Sequence, residues 1–362
     1  MSTASSSSIP ARLARLRAAL PETGADAILI SQPENRAYLS GFTGSAGTLL
    51  ITADRARIAT DFRYWDQVAL EAPHYELAQI KTTLNDLLPS MLEGVTRLAF
   101  EADHAAWSTA EGWKEAAPGV EWAPTKDVTR NLRAIKDEAE LTVLRRAVLL
   151  ADAALAHGLG EARPGMTEIE LAWIIESYMR THGAQGVAFD LHVASGPNGA
   201  RPHAHTSDKA LRPGEPIVID MGAKVDGYRS DLTRTVCLGE PSDGKKFWSV
   251  YNTVLGAQTA AIAAIRPGLS GKEADAVARD FITEAGYGEA FGHGLGHGVG
   301  LEIHEQPFMG RLSTSTLREN MVVTVEPGVY LAEWGGVRIE DIVLLTENGC
   351  EVLTTAPKYP II

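Results

Sequence analysis

The sequence lacks several features that define common classes of protein. It has only two cysteines, Cys237 and Cys350, which are too few for a disulfide framework or a thiolate zinc cluster. No apolar run is long enough to span a bilayer, and the amino-terminal segment has no basic stretch followed by an apolar core, as a secretory signal would. The 46 acidic side chains outnumber the 33 basic ones, the net charge is −13, and no long basic run is present. We therefore expect a cytoplasmic protein that binds neither nucleic acid nor a membrane.

Three widespread catalytic motifs are also missing. The chain contains neither the HExxH pair of zincins nor the GxxxxGK[ST] loop of nucleotide-binding proteins. It has no GxSxG either, and Gly44-Ser45-Ala46-Gly47 lacks the spacing of that motif. The sequence therefore argues against a zincin, a P-loop protein and a serine hydrolase.

The length and composition indicate a globular protein of about two domains. The chain has 362 residues, of which 45% are hydrophobic. Strand-like runs alternate with helical stretches in the first third of the chain. These runs lie at 26–31, 47–52, 56–60 and 98–101. This alternation predicts a small α/β domain over residues 1–132, and a second domain over 133–362 that opens with a long helix.

The second predicted domain contains an internal repeat. The segment RPGMTEIELAWIIESYMRTHGA at 163–184 matches RPGLSGKEADAVARDFITEAGY at 266–287. Each copy has an RPG turn, a helix N-cap residue (Thr167 or Ser270) and an amphipathic helix. The first copy also has Glu170 at the position of a capping box.

Acidic residues follow the two copies at matching places. Asp220 and Asp231 lie in IVIDMGAKVDGYRSDLTRTV, and Glu326 and Glu340 lie in VVTVEPGVYLAEWGGVRIEDIVL. A carboxylate in a buried strand is unfavourable unless it is paired, protonated or bound to a cation. The repeat would bring all four to one point, where two divalent cations would neutralise them. The order of turn, helix and paired acids therefore predicts a pseudo-twofold α+β domain with a metal centre.

A glycine-rich segment, FGHGLGHGVGLEIHE at 291–305, supplies histidines near these acids. It contains His293, His297 and His304, and its glycines allow the backbone to approach a site closely. Oxygen ligands with one imidazole suit manganese, iron, cobalt or zinc.

The order of these motifs resembles a known family. VIDMGA, SDLTRT, GHGLGHGVGLEIHE, VEPGVY and VRIEDIV are similar to motifs of the pita-bread metallopeptidases. Within that family they are most similar to the Xaa-Pro aminopeptidases (aminopeptidase P) and the Xaa-Pro dipeptidases (prolidases). The resemblance covers the whole chain, because these enzymes carry a smaller N-terminal α/β (creatinase-like) domain before the catalytic domain. It implies hydrolysis of an Xaa-Pro bond by a hydroxide that two metal ions activate, manganese first and zinc or cobalt as alternatives.

The resemblance also implies a role for each matching residue. Five residues would bind the metals: Asp220, Asp231, His297, Glu326 and Glu340. Asp231 and Glu340 would bridge both ions. Glu326 would also act in catalysis, by accepting a proton and passing it to the leaving nitrogen.

Further matching residues would act on the substrate. His203 would lie beside the scissile carbonyl and act in catalysis. His293 and His304 would line the proline pocket and stabilise the tetrahedral oxyanion, and His304 would thereby act in catalysis. Arg338 would bind or orient this network, or it would simply neutralise Glu340.

The N-terminal domain bears on the choice between the two enzymes. The segments GFTGSAGT at 41–48 and TDFRYW at 60–65 are similar to those of Xaa-Pro aminopeptidases, which are dimers. The resemblance implies a homodimer in which Arg63 binds the substrate near its C-terminal side. The alternative for this segment is a packing role. We expect peptide substrates with proline at the second position (Xaa-Pro-Yaa), with an Xaa-Pro dipeptidase as the alternative.

Two other classes share the expected fold. A non-hydrolytic relative, such as a binding protein, cannot be separated by fold alone, although suitable residues fill all five ligand positions. A methionyl aminopeptidase has the same five ligands but lacks the N-terminal domain. The sequence therefore favours a proline-specific peptidase.

Overall fold

The polypeptide divides into two units, Met1–Arg133 and Ala134–Ile362. The structure is a computed structural model that describes residues 3–202 and 204–362. No helix within these described ranges is long and apolar enough to cross a membrane.

The first unit contains a six-stranded sheet with helices between the strands. Its strands are β1 (Ala27–Ile30), β2 (Thr48–Thr52), β3 (Ala56–Asp61), β4 (Glu76–Ile80), β5 (Arg97–Glu101) and β6 (Glu121–Thr125). Its helices are α1 (Thr3–Ala19), α2 (Pro33–Ser40), α3 (Trp65–Glu71), α4 (Leu84–Met91), α5 (Trp107–Ala116) and α6 (Val128–Ala134). The strand order is β4-β3-β2-β1-β5-β6. The β1–β2 and β2–β3 pairs are antiparallel and the others are parallel, so the unit has the α/β class that the sequence predicts.

The second unit contains the repeat. Its helices are α7 (Glu138–Glu161), α8 (Glu168–Thr181), α9 (Gly244–Ala264) and α10 (Gly271–Glu284). Strands of its first half are β7 (Gly186–Val187), β8 (His192–Ser195), β9 (Pro216–Met221), β10 (Ala223–Val225), β11 (Tyr228–Arg229) and β12 (Leu232–Cys237). Strands of its second half are β13 (Gly296–Gly298), β14 (Glu305–Met309), β15 (Val322–Val325), β16 (Gly328–Leu331), β17 (Gly335–Arg338), β18 (Asp341–Thr346) and β19 (Gly349–Val352).

The two halves use the same order of elements. Each has two helices followed by a long antiparallel pair of strands, β9–β12 in the first half and β15–β18 in the second. A short hairpin interrupts each pair, β10–β11 in the first half and β16–β17 in the second. The repeated α+β organisation inferred from the sequence is therefore present in the structure.

Helices α8 and α10 begin in the same way. The hydroxyls of Thr167 and Ser270 accept hydrogen bonds from the backbone N–H groups of Glu170 and Glu273, whose carboxylates bind the cap backbone in return. The capping box at Glu170 is confirmed. The second copy has one too, at Glu273, which the sequence analysis missed. Each cap satisfies N–H groups that the first helical turn leaves without partners.

Each half of the repeat has its own hydrophobic core. In the first half, α7 and α8 cover β9 with buried residues that include Leu155, Ile175 and Ile219. In the second half, α9 and α10 cover β15 with buried residues that include Val254, Ala278 and Val323. The acidic residues lie close to the ends of these covered strands.

Candidate metal centre

Three carboxylates from the two halves of the repeat meet in the second unit. Asp220 lies in β9, Asp231 just before β12, and Glu340 between β17 and β18. One oxygen from each of the three lies within 4.8 Å of the others. Asp231 and Glu340 are buried, so the two halves form one acidic cluster that is largely shielded from water.

His297 in β13 and Glu326 just after β15 lie next to this cluster. Nε2 of His297 is 3.2 Å from Oε1 of Glu326 and 3.8 Å from Oδ2 of Asp231. The N–H of Glu326 donates to the carbonyl of Leu295 over 2.8 Å, and the N–H of His297 donates to Oγ1 of Thr324 over 3.0 Å. These backbone contacts hold the two side chains together. The structure thus brings all five expected ligands to one place.

The glycines beside His297 are required by close packing. A Cβ atom on Gly296 would lie 2.1 Å from the carbonyl oxygen of Thr324, and one on Gly298 would lie 2.2 Å from that of Gln306. Any side chain at these positions would push β13 away from the neighbouring strands β14 and β15. The alternating glycines therefore allow His297 to reach the acidic cluster.

Burial and mutual repulsion oppose ionisation of the central acids. Burial raises the pKa of Asp231 well above its ordinary value, and the carboxylates of Glu340 and Asp220 raise it further. Burial likewise raises the pKa of Glu340, with Glu326 and Asp220 adding to the effect. Oε1 of Glu340 is buried without a hydrogen-bond partner among the described residues. A cation would satisfy this oxygen and favour the ionised carboxylates.

Glu326 and His297 each favour the charged form of the other. Burial acts to raise the pKa of Glu326, but the hydrogen bond and charge of His297 outweigh it and lower the pKa to about 2. Burial acts to lower the pKa of His297, but its contacts with Glu326 outweigh it and raise the pKa. Together with the three clustered acids, this pair completes a set of four carboxylates and one imidazole. That donor set fits divalent manganese, iron, cobalt or zinc.

One buried cation, Arg338, faces the acids. Its Nη2 contacts Oδ2 of Asp220, its Nε donates to Oγ1 of Thr233 over 3.0 Å, and its Nη1 donates to the Tyr330 hydroxyl over 2.9 Å. Oγ1 of Thr233 also lies 2.7 Å from Oε2 of Glu340. Arg338 therefore offsets part of the negative charge and fixes the orientation of Asp220.

Thr233 and Tyr330 are site residues that sequence analysis missed. The Tyr330 hydroxyl lies 3.0 Å from Nε2 of His293, so this tyrosine links Arg338 to that histidine. Thr233 follows Asp231 by two residues, and residues so spaced in a strand share a face. That spacing could have indicated Thr233, and Tyr330 is the last residue of the motif VEPGVY, which could have indicated it.

The acidic cluster opens into a cleft of about 720 Å³. Its lining includes His293, His304 and Arg338. The ring centroid of His304 lies 4.4 Å from that of His297, with the two rings steeply inclined. The cleft therefore brings two of the three expected substrate histidines beside the acids.

Two further expected site residues are His203 and Arg63. His203 lies outside the described residues. Arg63 belongs to the first unit, where its guanidinium pairs with Asp61 over 2.8 Å and remains 58% exposed.

We expect the metal-free protein to lose stability as the pH rises above about 5, where carboxyl groups of ordinary pKa are already ionised. Asp231 and Glu340 have raised pKa values, so the folded state binds more protons than the unfolded state in this range. The stabilisation that the raised pKa of His297 provides is also lost as the pH rises through that pKa. The lowered pKa of Glu326 has its effect only at more acidic pH.

Urea unfolding in chelator at several pH values measures this loss. The midpoint should fall with rising pH, and saturating Mn²⁺ should weaken or reverse the trend, because bound carboxylates remain ionised. A midpoint that rises with pH in chelator would contradict the expectation.

Two family models match the chain. Residues 142–347 match metallopeptidase family M24, and residues 12–135 match the creatinase/prolidase N-terminal domain. The fold and the site are thus those of a peptidase that uses divalent metal, preceded by a creatinase-type domain. The chain belongs to metallopeptidase family M24.

Relatives within the family are similar over almost the whole chain. The solved structure of an Xaa-Pro dipeptidase from Bacillus anthracis is 44% identical, with a TM-score of 0.95, and the match covers 98% of this chain and 100% of that one. An X-Pro aminopeptidase from Thermotoga maritima MSB8 is 40% identical, with a TM-score of 0.87, covering 95% and 100%. An Xaa-Pro dipeptidase from Pyrococcus furiosus is 38% identical over 344 residues, covering 95% of this chain and 97% of the relative. The resemblance to proline-specific pita-bread peptidases and the two-domain fold class are thereby confirmed.

Proposed function

We propose that this protein is an Xaa-Pro aminopeptidase that releases the N-terminal residue from Xaa-Pro-Yaa peptides with two divalent metal ions, Mn²⁺ first. Residues 133–362 would form the catalytic domain and residues 1–132 the creatinase-like domain. The observation that carries the proposal is the set of four carboxylates and one imidazole beside a large cleft. The names of similar proteins, an X-Pro aminopeptidase and Xaa-Pro dipeptidases, support specificity for proline.

The five clustered residues would hold the two ions. These are Asp220, Asp231, His297, Glu326 and Glu340. Asp231 and Glu340 would bridge, which would satisfy the buried Oε1 of Glu340. When bound, the ions would polarise the scissile carbonyl and lower the pKa of the attacking water.

The protein's own groups would move the proton. Oε1 of Glu326 already contacts Thr324 and His297, so Oε2 would accept the proton of the attacking water. The same oxygen would then deliver it to the proline nitrogen. That nitrogen carries no hydrogen in the peptide and must gain one to leave.

The residues of the cleft would bind and orient the peptide. His304, beside His297, would stabilise the developing oxyanion, and His293 would contact the proline ring. Tyr330 and Arg338 would hold His293 and Asp220 in place through their hydrogen bonds. His203 would assist at the scissile carbonyl, as the family resemblance implies.

The charges of the cleft favour a tripeptide or longer peptide over a dipeptide. An Xaa-Pro dipeptide has a free carboxylate on its proline, which calls for a cation. Arg338 is the one lysine or arginine among the described residues that line the cleft, and it is buried against Asp220 and Tyr330. In a longer peptide this carboxylate is an amide. Arg63 from a second copy in a homodimer would then contact the peptide beyond proline.

The second candidate is an Xaa-Pro dipeptidase. It is favoured by the names of two similar proteins, those from Bacillus anthracis and Pyrococcus furiosus. In this case a protonated histidine of the cleft would have to bind the free carboxylate of the substrate.

Metal removal combined with a substrate comparison tests the proposal. Dialysis against chelator should abolish activity, and Mn²⁺ should restore it. With Mn²⁺, kcat/KM for Ala-Pro-Ala should exceed that for Ala-Pro by about tenfold or more, equivalent to about 1.4 kcal/mol. Ala-Ala-Ala serves as the control without proline. Cleavage of the dipeptide alone would establish the second candidate, and no activity with any divalent metal would exclude both.

A further inference from the structure

The strands of the metal centre have a buried ion pair on the face opposite the carboxylates. Arg234 follows Thr233 in β12, and Asp341 follows Glu340 at the start of β18. Successive residues in a strand point to opposite faces. Nη2 of Arg234 donates to Oδ1 of Asp341 over 2.8 Å, and the two side chains are 2% and 1% exposed. Charged groups this deeply buried require a full set of partners.

Arg234 also binds the backbone beneath the acidic cluster. Its Nη1 donates to the carbonyl oxygen of Glu340 over 2.5 Å and to that of Thr233 over 3.0 Å. On the other face, the Thr233 hydroxyl lies 2.7 Å from Oε2 of Glu340. The two segments that supply Asp231 and Glu340 are therefore joined by contacts on both faces of these segments.

The chain segment 353–362 completes this arrangement. Arg234 donates to the carbonyl oxygens of Ala356 over 2.7 Å and Pro357 over 3.1 Å. Nζ of Lys358 lies 2.5 Å from Oδ2 of Asp341, which also accepts a hydrogen bond from Gln258 over 2.8 Å. Both oxygens of Asp341 thus have charged donors, and the segment is fixed against the back of β12 and β18.

We propose that Arg234, Asp341 and Lys358 are positioning residues for the metal centre. They hold β12 and the backbone of Glu340 at a fixed separation, which sets the distance between the carboxylates of Asp231 and Glu340. None of the three lines the cleft, so they would act only through these two ligands. This role rests on the proposed function, in which Asp231 and Glu340 bridge two ions.

Metal binding by the full chain tests the role directly. After chelator treatment, calorimetric titration should show that Arg234→Met binds Mn²⁺ at least about tenfold more weakly than the wild type. A tenfold loss is the lower end of the range for residues that orient metal ligands. Arg234→Lys should recover part of the lost affinity. Lys358→Met should weaken Mn²⁺ binding severalfold. Lys358 is 29% exposed, and its replacement leaves both members of the buried Arg234–Asp341 pair in place. The control is Arg145→Met, which removes an exposed pair with Glu351 and should bind Mn²⁺ like the wild type.

The outcomes separate positioning from a merely structural role. Folded Arg234→Met protein with wild-type Mn²⁺ affinity overturns the proposal. If Arg234→Met does not fold by circular dichroism, Lys358→Met decides: weaker binding supports the role, and unchanged binding overturns it. A wild-type protein that binds no Mn²⁺ overturns the proposed function, and the positioning role with it.

Discussion

Replacing Glu340 with alanine should abolish binding of both metal ions and lower kcat/KM for Xaa-Pro-Yaa peptides by about a thousand-fold or more. A bridging carboxylate is shared by both ions, so its loss affects both sites. Bound ions contribute several kcal/mol of transition-state stabilisation, and each 1.36 kcal/mol corresponds to a factor of ten in rate. Metal content after dialysis and steady-state kinetics on Ala-Pro-Ala measure the two effects.

The matched control for this variant is Glu351→Ala. Glu351 is an acid of the same type in β19, but it is 46% exposed and paired with Arg145. It should retain two ions and full activity. Two ions bound per chain in Glu340→Ala would contradict the bridging assignment.

Urea unfolding in chelator shows whether Glu340 is a metal ligand or an acid that the fold requires. Glu340→Gln keeps the volume of the side chain and removes the carboxylate whose ionisation its neighbours oppose. At a pH of about 8 the metal-free variant should therefore unfold at the same or a higher urea concentration than the metal-free wild type. A large loss of stability in metal-free Glu340→Gln would indicate that the carboxylate of Glu340 stabilises the folded protein.

The sequence predicted the parts of the fold where local pattern and burial agree. Strand β1 is entirely apolar and entirely buried, so its composition indicates a central strand. Helices α8 and α10 have capping residues that mark where they begin. By contrast, β4 is a partly exposed edge strand of mixed composition, and α2 is a short helix beginning at a proline, so neither has a strong local signal.

The candidate site also has a part that the sequence predicted and a part that it did not. Motif order identified five ligand candidates, and the structure brings them together, although their binding of metal remains a prediction. The contacts that orient them join distant segments, as between Arg338 and Thr233, which are 105 positions apart. The buried pair of Lys136 and Glu305 likewise joins residues 169 positions apart. No local pattern encodes such a contact, because each partner by itself has the sequence of an ordinary helix start or strand.

Replacing Lys136 with methionine should destabilise the protein by about 3–5 kcal/mol. Nζ of Lys136 lies 3.0 Å from Oε2 of Glu305, and the two side chains are only 1% and 3% exposed. The variant breaks this buried ion pair by removing one of its two charges, which is strongly unfavourable. Urea unfolding with Mn²⁺ present measures the loss. Arg145→Met, which breaks an exposed pair, should cost about 0–1 kcal/mol.

The double variant Lys136→Met/Glu305→Leu shows whether the loss of stability comes from breaking this ion pair. Removing both charges should restore much of the stability, since apolar residues of similar size often replace a buried pair without loss. Activity on Ala-Pro-Ala should recover less than stability does in the double variant. Oε1 of Glu305 also accepts the N–H of Glu302 over 3.0 Å and so fixes the loop that ends at His304. KM for Ala-Pro-Ala should therefore stay raised in the double variant. A single variant as stable as the wild type, or a double variant less stable than the single one, would contradict this account of the pair.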